Sequence, residues 1–189
     1  KNKQLDFLPC EFLLHVGNDS WYKNRKSVLE SFIYTTNLNK NYNGKLVFIG
    51  PSLKQHELSD NSIIWLKKNK NRVIFISNIS DENLQLTYQN AKVFLFPSFI
   101  EGFGWPPLEA SLNNCHTISS RTGAIYEILR HNSEYIDNPN DQNEINLKVS
   151  NALLNPLCKK KSTLKLPSFQ SCTENYINYY KKIITENNL

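Results

Sequence analysis

The chain of 189 residues is long enough for one domain with its own core, and its 40% hydrophobic and 12% aromatic content excludes a disordered polymer. A net charge of +5, from 22 basic and 17 acidic side chains scattered along the sequence, is too mild for a nucleic-acid binder. No apolar run approaches the roughly eighteen residues of a membrane-spanning helix, and the opening KNKQLDFLPC lacks the charged-then-apolar order of a secretion signal.

In chain order, apolar runs that read as strands alternate with helical patterns. EFLLHVG (11–17) is the first strand, with His15 expected as a packed core residue, and a helix follows from about Arg25 with Val28, Leu29, Phe32 and Ile33 on one face. KLVFIG (45–50) leads to a helix near 56–69. RVIFI (72–76) leads to a helix capped by Ser80 or Asp81, with acidic residues in its first turn. KVFLF (92–96) precedes the loop IEGFGWPPLEA and a helix from about Pro106, since proline suits a first turn. HTISS (116–120), a short helix near 123–131, a strand at EYID and a helix at 141–154 complete the alternation. Residues 155–168 read as a loop, and 169–187 as an amphipathic helix with Tyr176, Ile177, Tyr180, Ile183 and Ile184 on its apolar side.

Short, continuously apolar strands separated by helices imply a parallel sheet covered on both faces. The expected fold is therefore a Rossmann-like, doubly wound α/β sheet of about six strands. Ligands of such sheets bind beyond the carboxyl ends of the strands, so the loops after Gly17, Gly50, Ile76, Phe96 and Ser120 carry the functional expectation.

Two of those loops are chemically over-equipped. In IEGFGWPPLEA, Gly102 and Gly104 let the backbone approach a ligand, and the helix beginning near Pro106 adds the positive end of its dipole. Together they make an anion site that suits phosphate. Glu101 and Glu109 would repel that phosphate, so they must face neutral hydroxyls, which ionised carboxylates accept strongly. A ligand with a diphosphate in the middle and a sugar at each end satisfies every group. In GNDSWYKNRK (17–26), Lys23, Arg25 and Lys26 stand at a helix start, where cations oppose the dipole, so at least one is expected to face phosphate.

These residues carry a family resemblance. AKVFLFPSFIEGFGWPPLEAS, followed by SSRTGAIYEIL, resembles the nucleotide-sugar-binding half of the retaining glycosyltransferases of group 1, or family 4, which have the GT-B fold. Their E-x7-E signature is matched by Glu101 and Glu109. HVGNDSWYKNR is similar to the family's V-G-x-x-x-x-x-K-N segment, and ISDENLQLTYQNA to its S-D-E-E-L-x-x-L-Y-x-x-A helix.

The resemblance implies that Glu109 holds ribose hydroxyls and Glu101 hydroxyls of the donor sugar. It implies backbone N–H groups of Phe103 and Gly104 on the sugar or β-phosphate, Lys23 as the phosphate lysine and Arg25 as a second cation. Ser77, Asn78 and Ile79 fall where the base is received, and Gly17, Asn18, Gly102 and Leu108 complete the implied donor-binding set. Glu101, Lys23 and Arg25 are the implied catalytic residues. No cofactor is implied beyond the nucleoside diphosphate sugar as substrate, and the D-x-D metal motif is absent from sequence and family alike. Three departures stand out. Asn18 replaces the family's common arginine, NCHT (114–117) replaces its G-x-P-V, and Tyr126 replaces the proline before Glu127.

By the same resemblance, residues 1–168 are a donor-binding domain and 169–189 a helix crossing back to an acceptor-binding domain that precedes this one. The chain begins at Lys1 and contains no methionine, so it is expected to be a fragment or processed piece that alone catalyses little. The alternative is a stand-alone nucleotide-sugar-binding subunit acting with a partner chain. A nucleotide epimerase is disfavoured by its loop chemistry, and a phosphorylase by the lack of a marked pyridoxal phosphate lysine. Cys10, Cys115, Cys158 and Cys172 are widely spaced and read as idle thiols of a reducing cytosol. The lysine runs at 67–70 and 159–161 read as solvated surface, with weak peripheral contact to anionic lipid on the inner membrane face as the alternative.

Overall fold

The computed structural model describes residues 8–157, 161–166 and 168–186. Cys158, the lysines at 159 and 160, and the last position of the expected 169–187 helix lie outside the described residues.

Among the described residues six strands form one sheet: β1 (Phe12–Val16), β2 (Lys45–Ile49), β3 (Val73–Ile76), β4 (Val93–Phe96), β5 (His116–Ser120) and β6 (Glu134–Ile136). All neighbours pair parallel, in the order β3-β2-β1-β4-β5-β6. Among the described residues seven α-helices connect or follow them: α1 (Arg25–Leu38), α2 (Asp60–Lys68), α3 (Asp81–Asn90), α4 (Trp105–Leu112), α5 (Ile125–Leu129), α6 (Gln142–Leu154) and α7 (Phe169–Glu186). The doubly wound sheet expected from the alternation is thus the fold.

The period of two along each strand sorts its residues into two cores. Leu13, Leu46, Phe48, Val93, Leu95, Ile118 and Ile136 pack under α1 and α6, against Val28, Leu29, Phe32, Ile145 and Val149. The alternate residues Phe12, Leu14, Val47, Phe94 and Phe96 pack under α3, α4 and α5, against Tyr88, Leu108, Ile125 and Leu129. Each such fully buried side chain contributes about 1.5–3 kcal/mol of transfer free energy, which is why strands apolar on both faces fold only between two helical layers.

Helix starts follow local chemistry. Ser80 Oγ accepts the N–H of Asn83 at 3.3 Å to open α3, and Asp81 and Glu82 complement its dipole. Asp141 opens α6 by accepting from Asn143 and Glu144 at 2.9 and 3.2 Å. The second helix begins later than the apolar pattern suggests. Residues Gln55–Glu57 form a separate 3-10 turn, and Ser59 caps α2 by accepting from Ser62. The helix expected at 123–131 is also shorter. Arg130 adopts φ 48°, which ends α5 and starts a 3-10 turn.

No residue of α7 is buried among the described residues, and Tyr176, Ile177, Tyr180 and Ile184 of its apolar side are exposed. No helix among the described residues is long and apolar enough to cross a membrane.

Candidate functional site

The strand order reverses direction between β1 and β4, whose outgoing loops diverge to opposite faces. Such a switch point opens a crevice at the carboxyl ends of the strands. One loop carries Lys23 and the other Glu101, and the structure joins them there. Lys23 Nζ lies 2.7 Å from Glu101 Oε1, with the side chains only 12% and 9% exposed. The same ammonium lies 4.9 Å from the Phe96 ring centroid and 5.3 Å from that of Tyr22, so its solvation shell is largely protein.

Backbone and side-chain ties hold the two loops in register. The N–H of Phe99 donates to Tyr22 O at 2.8 Å. Asn24, left-handed at φ 50° and buried, donates through Nδ2 to Pro97 O at 3.2 Å and to Pro139 O at 3.0 Å. One asparagine therefore fastens the loops that follow β1, β4 and β6. Gly17 ends β1 by donating its N–H to Ile49 O, and the exposed Asn18 accepts the N–H of Ser20 through Oδ1 at 3.1 Å, a local turn.

The turn before α4 requires its glycine. Gly104 sits at φ 84°, and a Cβ there would lie 2.5 Å from Ile125 Cγ1. Gly102 faces open space, and Phe103 is exposed with its ring 4.5 Å from that of Trp105. Pro106 and Pro107 carry no N–H, so the donors available at this end are those of Phe103, Gly104 and Trp105. Among the described residues no protein acceptor meets these three groups. From below, Gly123 supports the turn: at φ 58°, its Cβ position is 2.0 Å from Glu101 O, and the next residue, Ala124, donates its N–H to Gly102 O at 3.0 Å.

Glu109 lies in the second turn of α4, where its Oε2 accepts the hydroxyl of Tyr88 at 3.0 Å. No cation stands within ion-pair distance of it among the described residues. Ser77 and Asn78 are exposed at the end of β3, and Ile79 packs against the core under α3, α4 and α5.

Two expected residues are placed differently from the rest. Leu108 is 1% exposed and packs in the core beneath the sheet, so its side chain does not reach the crevice. Arg25 is buried, its guanidinium 4.8 Å from the Phe48 centroid, with one nitrogen donating to Pro51 O and Nε unpartnered. Burial lowers its pKa from the usual arginine value, opposed by Asp19 and Glu57. With Trp21, Lys54, Phe99 and Pro139 it lines a cleft of about 470 Å³ beside the Lys23 loop. Lys26 pairs with Glu30 at 3.8 Å as a surface lysine.

Beneath the switch point His15 is fully buried, as expected of a core residue. Its Nδ1 donates to Leu95 O at 2.9 Å, which leaves Nε2 as a bare acceptor, buried without a partner among the described residues. Burial lowers its pKa to about 3, helped by the charges of Arg25 and Lys23 and opposed by the Leu95 bond. Among the described residues no three His, Cys, Asp or Glu side chains converge as metal ligands.

Asn24, Tyr88 and Gly123 lie in the segments that carry the family resemblance, yet no structural role was read for them. Asparagine just before a helix was a sign of a left-handed entry, and glycine three residues after a strand was a sign of close backbone approach. Tyr88 occupies the tyrosine position of the family's S-D-E-E-L-x-x-L-Y-x-x-A helix, which was the sign it gave.

Fold and crevice together define a doubly wound α/β domain whose switch point is equipped with a lysine, free main-chain donors and two carboxylates. The model of the family "Glycosyl transferases group 1" matches residues 2–166, and the chain belongs to that family. It is 33% identical over 82 residues to the O-antigen chain mannosyltransferase RfbU of Salmonella typhimurium, covering 43% of this chain and 23% of that protein. It is 31% identical over 113 residues to the capsular polysaccharide biosynthesis glycosyltransferase CapM of Staphylococcus aureus, covering 59% and 29%. The chain thus spans less than a third of the length of these relatives. Among solved structures, the C-terminal domain of a group 1 glycosyltransferase, LpcC from Francisella tularensis, superposes with a TM-score of 0.61 at 23% identity, covering 78% of each chain. The sucrose-phosphate synthase of Thermosynechococcus elongatus superposes with a TM-score of 0.68 at 21% identity, over 95% of this chain and 47% of that one. The fold is that of the C-terminal domain of a GT-B protein.

Proposed function

We propose that the domain binds the nucleoside diphosphate sugar of a transferase that moves the sugar to an acceptor hydroxyl with retention of anomeric configuration. The observation that carries this reading is the meeting of Lys23 and Glu101 at the switch point, beside three unpartnered N–H groups. Lys23 and those N–H groups take the diphosphate, Glu101 the sugar hydroxyls, and Glu109 the ribose. Ser77, Asn78 and Ile79, at the end of β3, receive the base.

The bond broken joins the anomeric carbon to the β-phosphate oxygen, and the negative charge of the step gathers on the departing diphosphate. Donors already in place at that oxygen lower the barrier, and losing one typically costs roughly 100- to 1000-fold in turnover. The reading assigns that charge to Lys23 and the N–H groups rather than to a metal ion. Arg25, turned toward Pro51, acts on the diphosphate only after reorienting. The exposed apolar side of α7 supports docking onto an acceptor-binding domain, in the same chain or a partner.

Calorimetry and thermal-shift measurements with UDP, GDP, ADP and their sugars test the reading. The name of the relative RfbU, a mannosyltransferase, makes mannose-bearing nucleoside diphosphates the first probes. Binding that Lys23→Ala abolishes is the expected result. A chain that binds none of these at millimolar concentration, or binds them equally well as Lys23→Ala, overturns it.

A further inference from the structure

Tyr88 has no packing reason to be a tyrosine. It is 1% exposed in the last turn of α3, edge-on to Phe94 at 5.5 Å between centroids, in surroundings that a phenylalanine would fill equally well. Its hydroxyl donates to one oxygen of Glu109 at 3.0 Å. A glutamate on a helix otherwise samples several rotamers, and freezing one costs free energy each time a ligand binds.

We propose that Tyr88 is a positioning residue, whose phenol holds the Glu109 carboxylate in the one orientation that accepts both hydroxyls of a ribose. The inference rests on the proposed role of Glu109. It adds that the discrimination between ribose and a sugar lacking those hydroxyls is set from behind, by a side chain that never touches the ligand. One carboxylate oxygen is committed to the phenol, and a carboxylate offers about four lone-pair sites, so acceptor capacity remains for a cis-diol. Burial, with the Glu109 charge adding to it, raises the phenol pKa far above its ordinary value, so Tyr88 remains a donor wherever the protein is folded.

The test is calorimetry on the full chain with UDP and GDP and, separately, with their 2′,3′-dideoxy counterparts. Tyr88→Phe keeps the ring and the core. It is expected to weaken ribonucleoside diphosphate binding roughly 10-fold, the fold-change of one charge-assisted hydrogen bond, and to leave dideoxy binding unchanged. In a Glu109→Gln background, Tyr88→Phe is expected to change ribonucleotide affinity less than twofold. Unchanged ribonucleotide binding by Tyr88→Phe overturns the proposal. So does an equal loss for ribo and dideoxy ligands, which marks a merely structural residue. If the parent chain binds no nucleoside diphosphate, the donor-site reading fails and the proposal with it. If it binds and only the Tyr88 effect is missing, the proposal fails alone.

Discussion

Lys23 and Glu101 form a 2.7 Å ion pair although 78 positions separate them in the chain. They meet because the loops of β1 and β4 leave adjacent strands at the reversal of the sheet. Each satisfies the other. On the proposed function, a diphosphate sugar would share the lysine and offer hydroxyls to the carboxylate in exchange.

Breaking that pair from one side should be costly. Lys23→Ala strands a carboxylate that is 9% exposed, and the chain should lose about 3 kcal/mol, the low end for a buried pair. Lys23→Ala combined with Glu101→Gln should recover part of the loss, because no charge is left unpaired. Urea denaturation of the two variants checks this. Equal stability of Lys23→Ala and the parent would show that the pair contributes nothing.

The turn before α4 should tolerate change unevenly. Gly102→Ala meets open space and should cost little. Gly104→Ala forces alanine to φ 84° and into Ile125, for about 1–2 kcal/mol of backbone strain plus crowding. Gly123→Ala should be worst, since the atoms it strikes are main-chain oxygens of Glu101 and Gly102 that cannot rotate away. Melting temperatures should fall in that order, and the Gly123→Ala chain should also bind nucleotide less tightly.

Asn24 separates two contributions that one variant would confuse. Asn24→Gly keeps the left-handed backbone and loses the bonds to Pro97 and Pro139, whereas Asn24→Ala loses both. Each lost bond is worth about 1 kcal/mol, and the backbone penalty adds about 1 kcal/mol more. Stability should rank parent, then glycine, then alanine; a glycine variant no better than alanine would contradict the backbone term.

Acid should destabilise the fold through His15. Its folded pKa of about 3 lies below the ordinary 6.5, so between those values the unfolded chain binds a proton that the folded one refuses. Stability is fully present above pH 6.5 and declines as pH falls, by about 1.5 kcal/mol between pH 6.5 and 5. Denaturation at the two pH values should show that drop in the parent and not in His15→Gln. Above the carboxylate range this comparison isolates the imidazole.

Much of this was legible in the sequence. Strands such as 45–50 and 92–96 were apolar on both faces, which only a covered parallel sheet accommodates, whereas the strand order, and with it the contact of Lys23 with Glu101, came from the structure alone. What the sequence hid were directions. Arg25 follows Lys23 by two residues, yet the intervening left-handed Asn24 turns the chain so that the guanidinium lies over Phe48. Leu108 sits next to Glu109 but one helical step round, which sends it into the core. The late start of α2 and early end of α5 depended on a serine cap and one arginine with positive φ, which apolar periodicity does not register.

The seat of the 101–104 turn rests on the main chain at Gly123 and Ala124, with the Ile125 side chain closing against Gly104. A main-chain buttress presents no side-chain chemistry to its neighbours, and the exposed Arg121, two residues before it, turns instead to Asp137, Tyr126 and Tyr135. Side chains at the mouth of the crevice are thus anchored apart from the main-chain contacts that carry the turn.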